Sequence, residues 1–160
     1  MCRVVAFPIA VISLFVLAGC FEARRLDQQM EELCKKDGGI KVYETVTLPS
    51  SSYNQALQSG PLMPVAEDSW FVRIGPGDDY RHYTRREYIV GKGARHERGE
   101  GSLSRVHQAI YRWPDKRLLG ESVQYDRSGG AGFTSGFQPG GKSCPHLTGG
   151  LYQSVFIKGN

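Results

Sequence analysis

The chain reads as an α+β protein in which one N-terminal helix packs on an antiparallel sheet of five or six strands. Two observations predict this. Residues 22–36 carry one apolar stripe at helical spacing, and the rest of the 160-residue chain alternates apolar and polar residues in short runs divided by Gly and Pro. Strands that follow one another without helices between them argue against a parallel sheet.

In residues 22–36, Leu26, Met30, Leu33 and Cys34 fall at i, i+4, i+7 and i+8, the spacing of one helix face. Glu31 precedes Lys35 and Glu32 precedes Lys36 by four residues, the favourable order for helical pairs. Gly38 and Gly39 stop the helix. Residues 40–48 alternate, with Ile40, Val42, Val46 and Leu48 on one side, and predict one half-buried strand. Residues 49–64 are rich in Ser, Gly and Pro and predict a loop, with a short helical turn near residues 53–57. Further strands are predicted at 69–74, closed by Gly75-Pro76-Gly77-Asp78, and at 80–90, followed by a polar turn region over 91–101. Residues 103–113 and 117–127 predict a hairpin, with Trp113-Pro114-Asp115-Lys116 as a type I turn that has Pro second. Residues 128–150 hold eight glycines and predict a long loop, and residues 151–158 alternate again and predict a last strand. There is no internal repeat and no second domain.

Ahead of this domain stand Met1-Cys2-Arg3, then residues 4–16, apolar except for Ser13, then small residues up to Cys20. A basic start, a short apolar core and small residues at the cut describe a secretory signal peptide. The apolar run is shorter than the roughly 20 residues of a membrane-spanning helix, and Pro8 within it argues against a buried core helix.

Leu17-Ala18-Gly19-Cys20 resembles the lipobox of bacterial lipoproteins. The resemblance covers only the first 20 residues or so. It implies removal of residues 1–19, a diacylglyceryl group on the Cys20 thiol, acylation of its new amino group, and attachment of domain 20–160 to a membrane. In enteric-type lipoproteins an Asp after the cysteine retains the protein in the inner membrane. Phe21 stands there instead, which implies the periplasmic face of the outer membrane. Residues 36–46 and 120–130 are similar to segments of small uncharacterised proteobacterial lipoproteins, a likeness that carries no activity with it.

With Cys2 removed and Cys20 lipidated, Cys34 and Cys144 remain as an even pair in an oxidising compartment, and a disulfide between them is the expected outcome. Free buried thiols, or a metal pair with His146, are the alternatives. His82, His96, His107 and His146 show no short ligand spacing, so neither a zinc site nor any cofactor is expected.

Removing Arg3 lowers the formal charge from +4 to +3. Residues 79–112 hold eight Lys or Arg against four acids, a local +4, with Tyr80, Tyr83, Tyr88 and Tyr111 interleaved. Inside a cell this would suggest nucleic acid; outside the cytoplasm nucleic acid is set aside, and an anionic envelope component becomes the candidate. Arg81, Arg85, Arg86, Arg105 and Arg112 are the candidate anion-binding residues. The plainer reading, which we prefer, is a solvated sheet face.

Other motifs are weaker. Gly136 and Gly141-Lys142-Ser143 match the phosphate-binding P-loop in letters, but no apolar strand precedes them and Cys144-Pro145 cannot open a helix. In Gly132-Phe133-Thr134-Ser135-Gly136 a threonine occupies the place of the nucleophilic serine. Glu44, in phase with Val42 and Val46, and Glu121, in phase with Leu119, Val123, Tyr125 and Arg127, could form an acid/base pair; structural ion pairs are the preferred reading.

The expected function is that of a non-enzymatic binding or scaffolding module in the envelope, held by its lipid and meeting an envelope protein or an anionic component. An exclusion or immunity lipoprotein of a phage or plasmid is the first alternative. A cell-envelope hydrolase using Glu44 or Glu121 is the second.

Overall fold

A computed structural model describes the backbone of residues 6–58, 70–74, 79–91, 100–113, 115–130 and 141–160, and the side chains of residues 22–54, 79–91, 100–113, 115–130 and 141–160. The chain is an α+β protein, as its sequence predicts. The helix α1 (Ala6–Asp37) leads into a sheet of β1 (Gly39–Val42), β3 (Trp70–Ile74), β4 (Tyr80–Val90), β5 (Gly101–Arg112), β6 (Arg117–Gly129) and β7 (Lys142–Cys144). The order is β1-β6-β5-β4-β3, with β7 also on β6, and every pairing in this sheet is antiparallel. β1 and β7 share one edge of β6 in tandem, at residues 120–123 and 125–127. A second, two-stranded parallel sheet joins β2 (Val46–Leu48) to β8 (Phe156–Lys158). Two further helices are α2 (Ser50–Gln58) and α3 (Leu151–Val155).

The large sheet is covered on both faces. On one, α1 lays Leu26, Met30 and Cys34 against Leu103, Val123 and Tyr125. On the other, Leu151, Tyr152, Val155 and Phe156 pack with Leu48, Ile110 and Leu119. A fully buried Leu, Met or Phe side chain contributes about 2 kcal/mol. Each face has one glycine that lets its cover approach. A Cβ on Gly101 would lie 2.5 Å from Leu26 Cδ1, and one on Gly120 would lie 2.6 Å from Val155 Cγ2.

Several elements depart from the sequence-based expectation. The described helix spans Ala6–Asp37 and so reaches well ahead of residue 22. Residues 40–48 form two strands, because the amides of Tyr43 and Glu44 both donate to the Leu119 carbonyl, at 2.8 and 3.0 Å, and the chain turns out of the sheet there. The predicted turn near residues 53–57 is a nine-residue helix that starts directly after Pro49. Part of the predicted loop 128–150 is strand: β6 continues to Gly129 and β7 pairs with it.

The expected last strand over 151–158 is corrected to α3 followed by β8. Leu151, Tyr152, Val155 and Phe156 are all buried, and i, i+1, i+4, i+5 is a helical pattern rather than an alternating one. The side chain of Gln153, at the third helical position, accepts from the Gly150 amide at 2.8 Å and caps the start. The predicted turn after residue 74 and residues 92–99 and 131–140 lie outside the described residues.

Candidate functional site

Cys20 lies in the backbone of α1, six residues before Leu26; its side chain, with all those before residue 22, lies outside the described residues. A helix rises 1.5 Å per residue, so about 9 Å separates Cys20 from the first buried anchor of the domain. From Leu26 onward the helix is clamped. Arg127 Nε donates to Asp27 Oδ1 at 2.7 Å, and Lys142 Nζ reaches Glu31 at 2.7 Å. The Tyr125 hydroxyl donates to Asp37 Oδ1 at 2.7 Å, and Arg105 to Asp37 Oδ2 at 3.2 Å. Partial burial opposes a charge on Asp37, but the hydrogen bonds from Tyr125 and Arg105 outweigh it and hold its carboxyl below the ordinary range.

Cys34 and Cys144 form the expected disulfide, with Cα atoms 6.0 Å apart across a sequence separation of 110. It joins the last turns of α1 to the end of β7, the short strand whose side chains are only half buried. Lys142 and Ser143 of the P-loop letters are therefore strand residues that pair with Arg127 and Asp126, and no helix opens after them.

The five candidate arginines do not make one face. By register, Arg85 and Arg105 stand with His107 on the α1 side, whereas Arg86 stands with Val106 and Gln108 on the opposite side. Each has a partner within the fold. Arg81 is buried, lies 4.9 Å over the Trp113 ring and donates to the Tyr80 carbonyl. Arg85 meets Glu87 at 2.9 Å, and Arg86 meets Asp126 at 3.2 Å and Ser104 at 2.7 Å. Arg105 holds Asp37, and Arg112 holds Asp115 at 2.7 Å and Glu44 at 3.0 Å. Lys92, Arg95 and Arg98 of the same basic stretch lie outside the described residues.

Glu44 and Glu121 serve separate clusters and share no partner among the described residues. Glu44 is not on a strand; it sits in the bend between β1 and β2 and is gripped by Arg112 and by Arg117, the latter at 2.9 Å. Glu121 lies on β6 beyond the C-terminal end of α1. It accepts from the Tyr43 hydroxyl at 2.6 Å and from His107 Nε2 at 3.0 Å. The Tyr43 bond, with help from His107 and Lys41, overcomes partial burial and lowers the Glu121 carboxyl, while the same bond raises the Tyr43 phenol. The in-phase neighbours predicted for Glu121 are corrected by a register shift at Ile110/Tyr111. It sends Leu119 into the α3-side core, while Val123 and Tyr125 enter the α1-side core. Arg127 goes to Asp27, not to Glu121.

On the α3 side, next to β7, lies an open cleft of about 600 Å³. Gln108 of β5 and Gln124 of β6 line it, with Ser143, His146, Leu147 and Leu151 also contributing. Sequence reasoning weighed Ser143 and His146 only for other roles and missed Gln108, Gln124, Leu147 and Leu151. The signal it could have used is two glutamines at outward positions of neighbouring strands, where charged residues or threonine are the more ordinary choice. What it could not supply is that residues 146–151 return to build a wall beside them.

The chain matches no family model, no curated protein and no solved structure.

Proposed function

We propose that the chain is the precursor of a lipid-anchored envelope protein. Residues 1–19 are removed, Cys20 carries the lipid, and the domain acts as a non-enzymatic binding or scaffolding module at the periplasmic face of the outer membrane. The observation that carries this reading is the lipobox Leu17-Ala18-Gly19-Cys20 behind a basic start and a short apolar run. No helix among the described residues is long and apolar enough to cross a membrane. In this reading the acyl chains supply the attachment, since each buried methylene contributes about 0.8 kcal/mol and two or three chains hold firmly.

Supporting it is the absence of a tether. The helix that starts before Cys20 is the same helix that docks on the sheet, and ion pairs and a disulfide fix it there. In this reading the domain stands directly on the bilayer. The arginines serve the fold first: Arg85, Arg105, Arg112 and Arg86 are held by Glu87, Asp37, Asp115 and Asp126.

Labelled palmitate tests the reading. It should enter the wild-type protein and not the Cys20→Ala variant, which should also leave the membrane fraction. Equal labelling of both proteins would overturn the reading.

A further inference from the structure

We infer that the cleft beside β7 is a binding site for an uncharged carbohydrate, held by the paired side-chain amides of Gln108 and Gln124. The inference rests on the cleft alone and does not depend on the lipid anchor.

The two glutamines stand on the same face of adjacent strands. Gln108 is opposite Ser122 and Gln124 is opposite Val106, so the glutamines are diagonal neighbours, roughly 7 Å apart by sheet geometry. Both are half buried, and among the described residues neither side chain has a hydrogen-bond partner. A half-buried carboxamide without a protein partner is open to water or to a ligand. Here two stand together at the floor of a concavity large enough for a small ligand.

The chemistry of the cleft selects against charge. Lys142 lines it with its backbone strand, but its ammonium is engaged with Glu31 at 2.7 Å and Asp27 at 3.9 Å. The Ser143 hydroxyl donates to Asp126 at 2.8 Å, which leaves its oxygen lone pairs for a ligand, and Asp126 is itself neutralised by Arg86. What remains is a pair of carboxamides, each both donor and acceptor, a hydroxyl oxygen and the His146 imidazole. Leu147 and Leu151 supply a small apolar wall. Sugar hydroxyls and acetamido groups also donate and accept in alternation, and carry no charge. The C–H face of a pyranose, or an acetamido methyl, suits the leucines.

A peptide is the competing occupant, and the sheet disfavours it. Peptides commonly bind to sheets by pairing with an open edge. The floor here is the face of two central strands whose backbones are committed to their own ladder. The floor presents side chains, and Gly141, Gly149 and Gly150 add backbone only at the walls.

The test uses the full chain purified in neutral detergent. Its probes are an N-acetylglucosamine tetramer, cellotetraose and a neutral, end-capped peptide of similar length. Binding is followed by NMR on the side-chain amide signals of Gln108 and Gln124. A saturable shift of both signals is expected with at least one oligosaccharide, with a Kd on the order of 1 mM or tighter. Affinity should stay constant as salt is raised, because an uncharged ligand has no screened attraction to lose. Gln108→Ala and Gln124→Ala should each weaken binding about five- to tenfold, with unfolding midpoints unchanged. No shift with either sugar would overturn the proposal, as would binding that survives the double variant. A response to the peptide alone would replace the sugar with a peptide ligand.

Discussion

The two faces of the sheet are covered by different physics. On the α1 side the apolar contact is reinforced by the Cys34–Cys144 bridge and by ion pairs from Arg127, Lys142 and Arg105 to three acids of the helix. Among the described residues the α3-side core holds neither bridge nor ion pair. Rings join the aliphatic side chains in the packing: Tyr80 lies edge-on to Phe156 with centroids at 5.1 Å, and His82 edge-on to Tyr152 at 5.0 Å. Of the polar groups there, His82 Nε2 meets the Thr84 hydroxyl at 3.4 Å and the Tyr152 hydroxyl has no partner among the described residues. Burial alone pushes the His82 imidazole down to about 4 and raises the Tyr152 phenol. A face built from charge and covalent closure should respond to reduction. A face built from burial should respond to acid.

The largest effect should come from the bridge. The loop it closes is long, so by the chain-entropy account its loss in the Cys34→Ala/Cys144→Ala double variant should cost about 4 to 5 kcal/mol. Urea unfolding measures this, and amide exchange should find the added mobility in α1 and β7 rather than in α3. A loss below about 1 kcal/mol would mean that packing and ion pairs hold α1 unaided.

Acid should act on the other face, with a smaller effect. His82 binds its proton near 6.5 when unfolded and only near about 4 when folded. Between those values the unfolded state holds more protons, so stability rises with pH. The contribution of neutral, buried His82 is complete above 6.5 and is lost as pH falls towards about 4, a change on the order of 3 kcal/mol. The His82→Gln variant should flatten the stability profile across that window. Asp37 and Glu121, whose carboxyls are held low, add their own losses only at lower pH. An unchanged profile in His82→Gln would show that acid acts elsewhere.

Single ion pairs on the α1 side should matter least. Asp27→Asn weakens the bond to Arg127, whose side chain is 10% exposed, and should cost about 1.5 kcal/mol in thermal or urea unfolding. A cost approaching that of the bridge would make charge, rather than covalent closure, the main support of α1.

Much of this was legible along the chain. The stripe of Leu26, Met30 and Cys34 is the stripe that α1 buries, and the alternation of residues 80–90 and of the hairpin after it gave those strands nearly to the residue. The C-terminal segment was not legible, because eight residues of alternating pattern also contain a helical one, and only the position of the sheet decides between them. For Glu121 the difficulty was the register shift, which moves Leu119 to the opposite core without changing any local pattern.

The sequence by itself determined the α+β class, the buried face of α1 and the pairing of Cys34 with Cys144. All of these depend on residues near one another or on simple counting. Only the tertiary structure decided that both faces of the sheet are covered, that the arginines are divided between those faces, and that Gln108 and Gln124 share a cleft with residues 146–151. Local periodicity records that a side chain is buried or exposed, whereas which distant segment arrives to cover it depends on contacts between residues far apart in the chain.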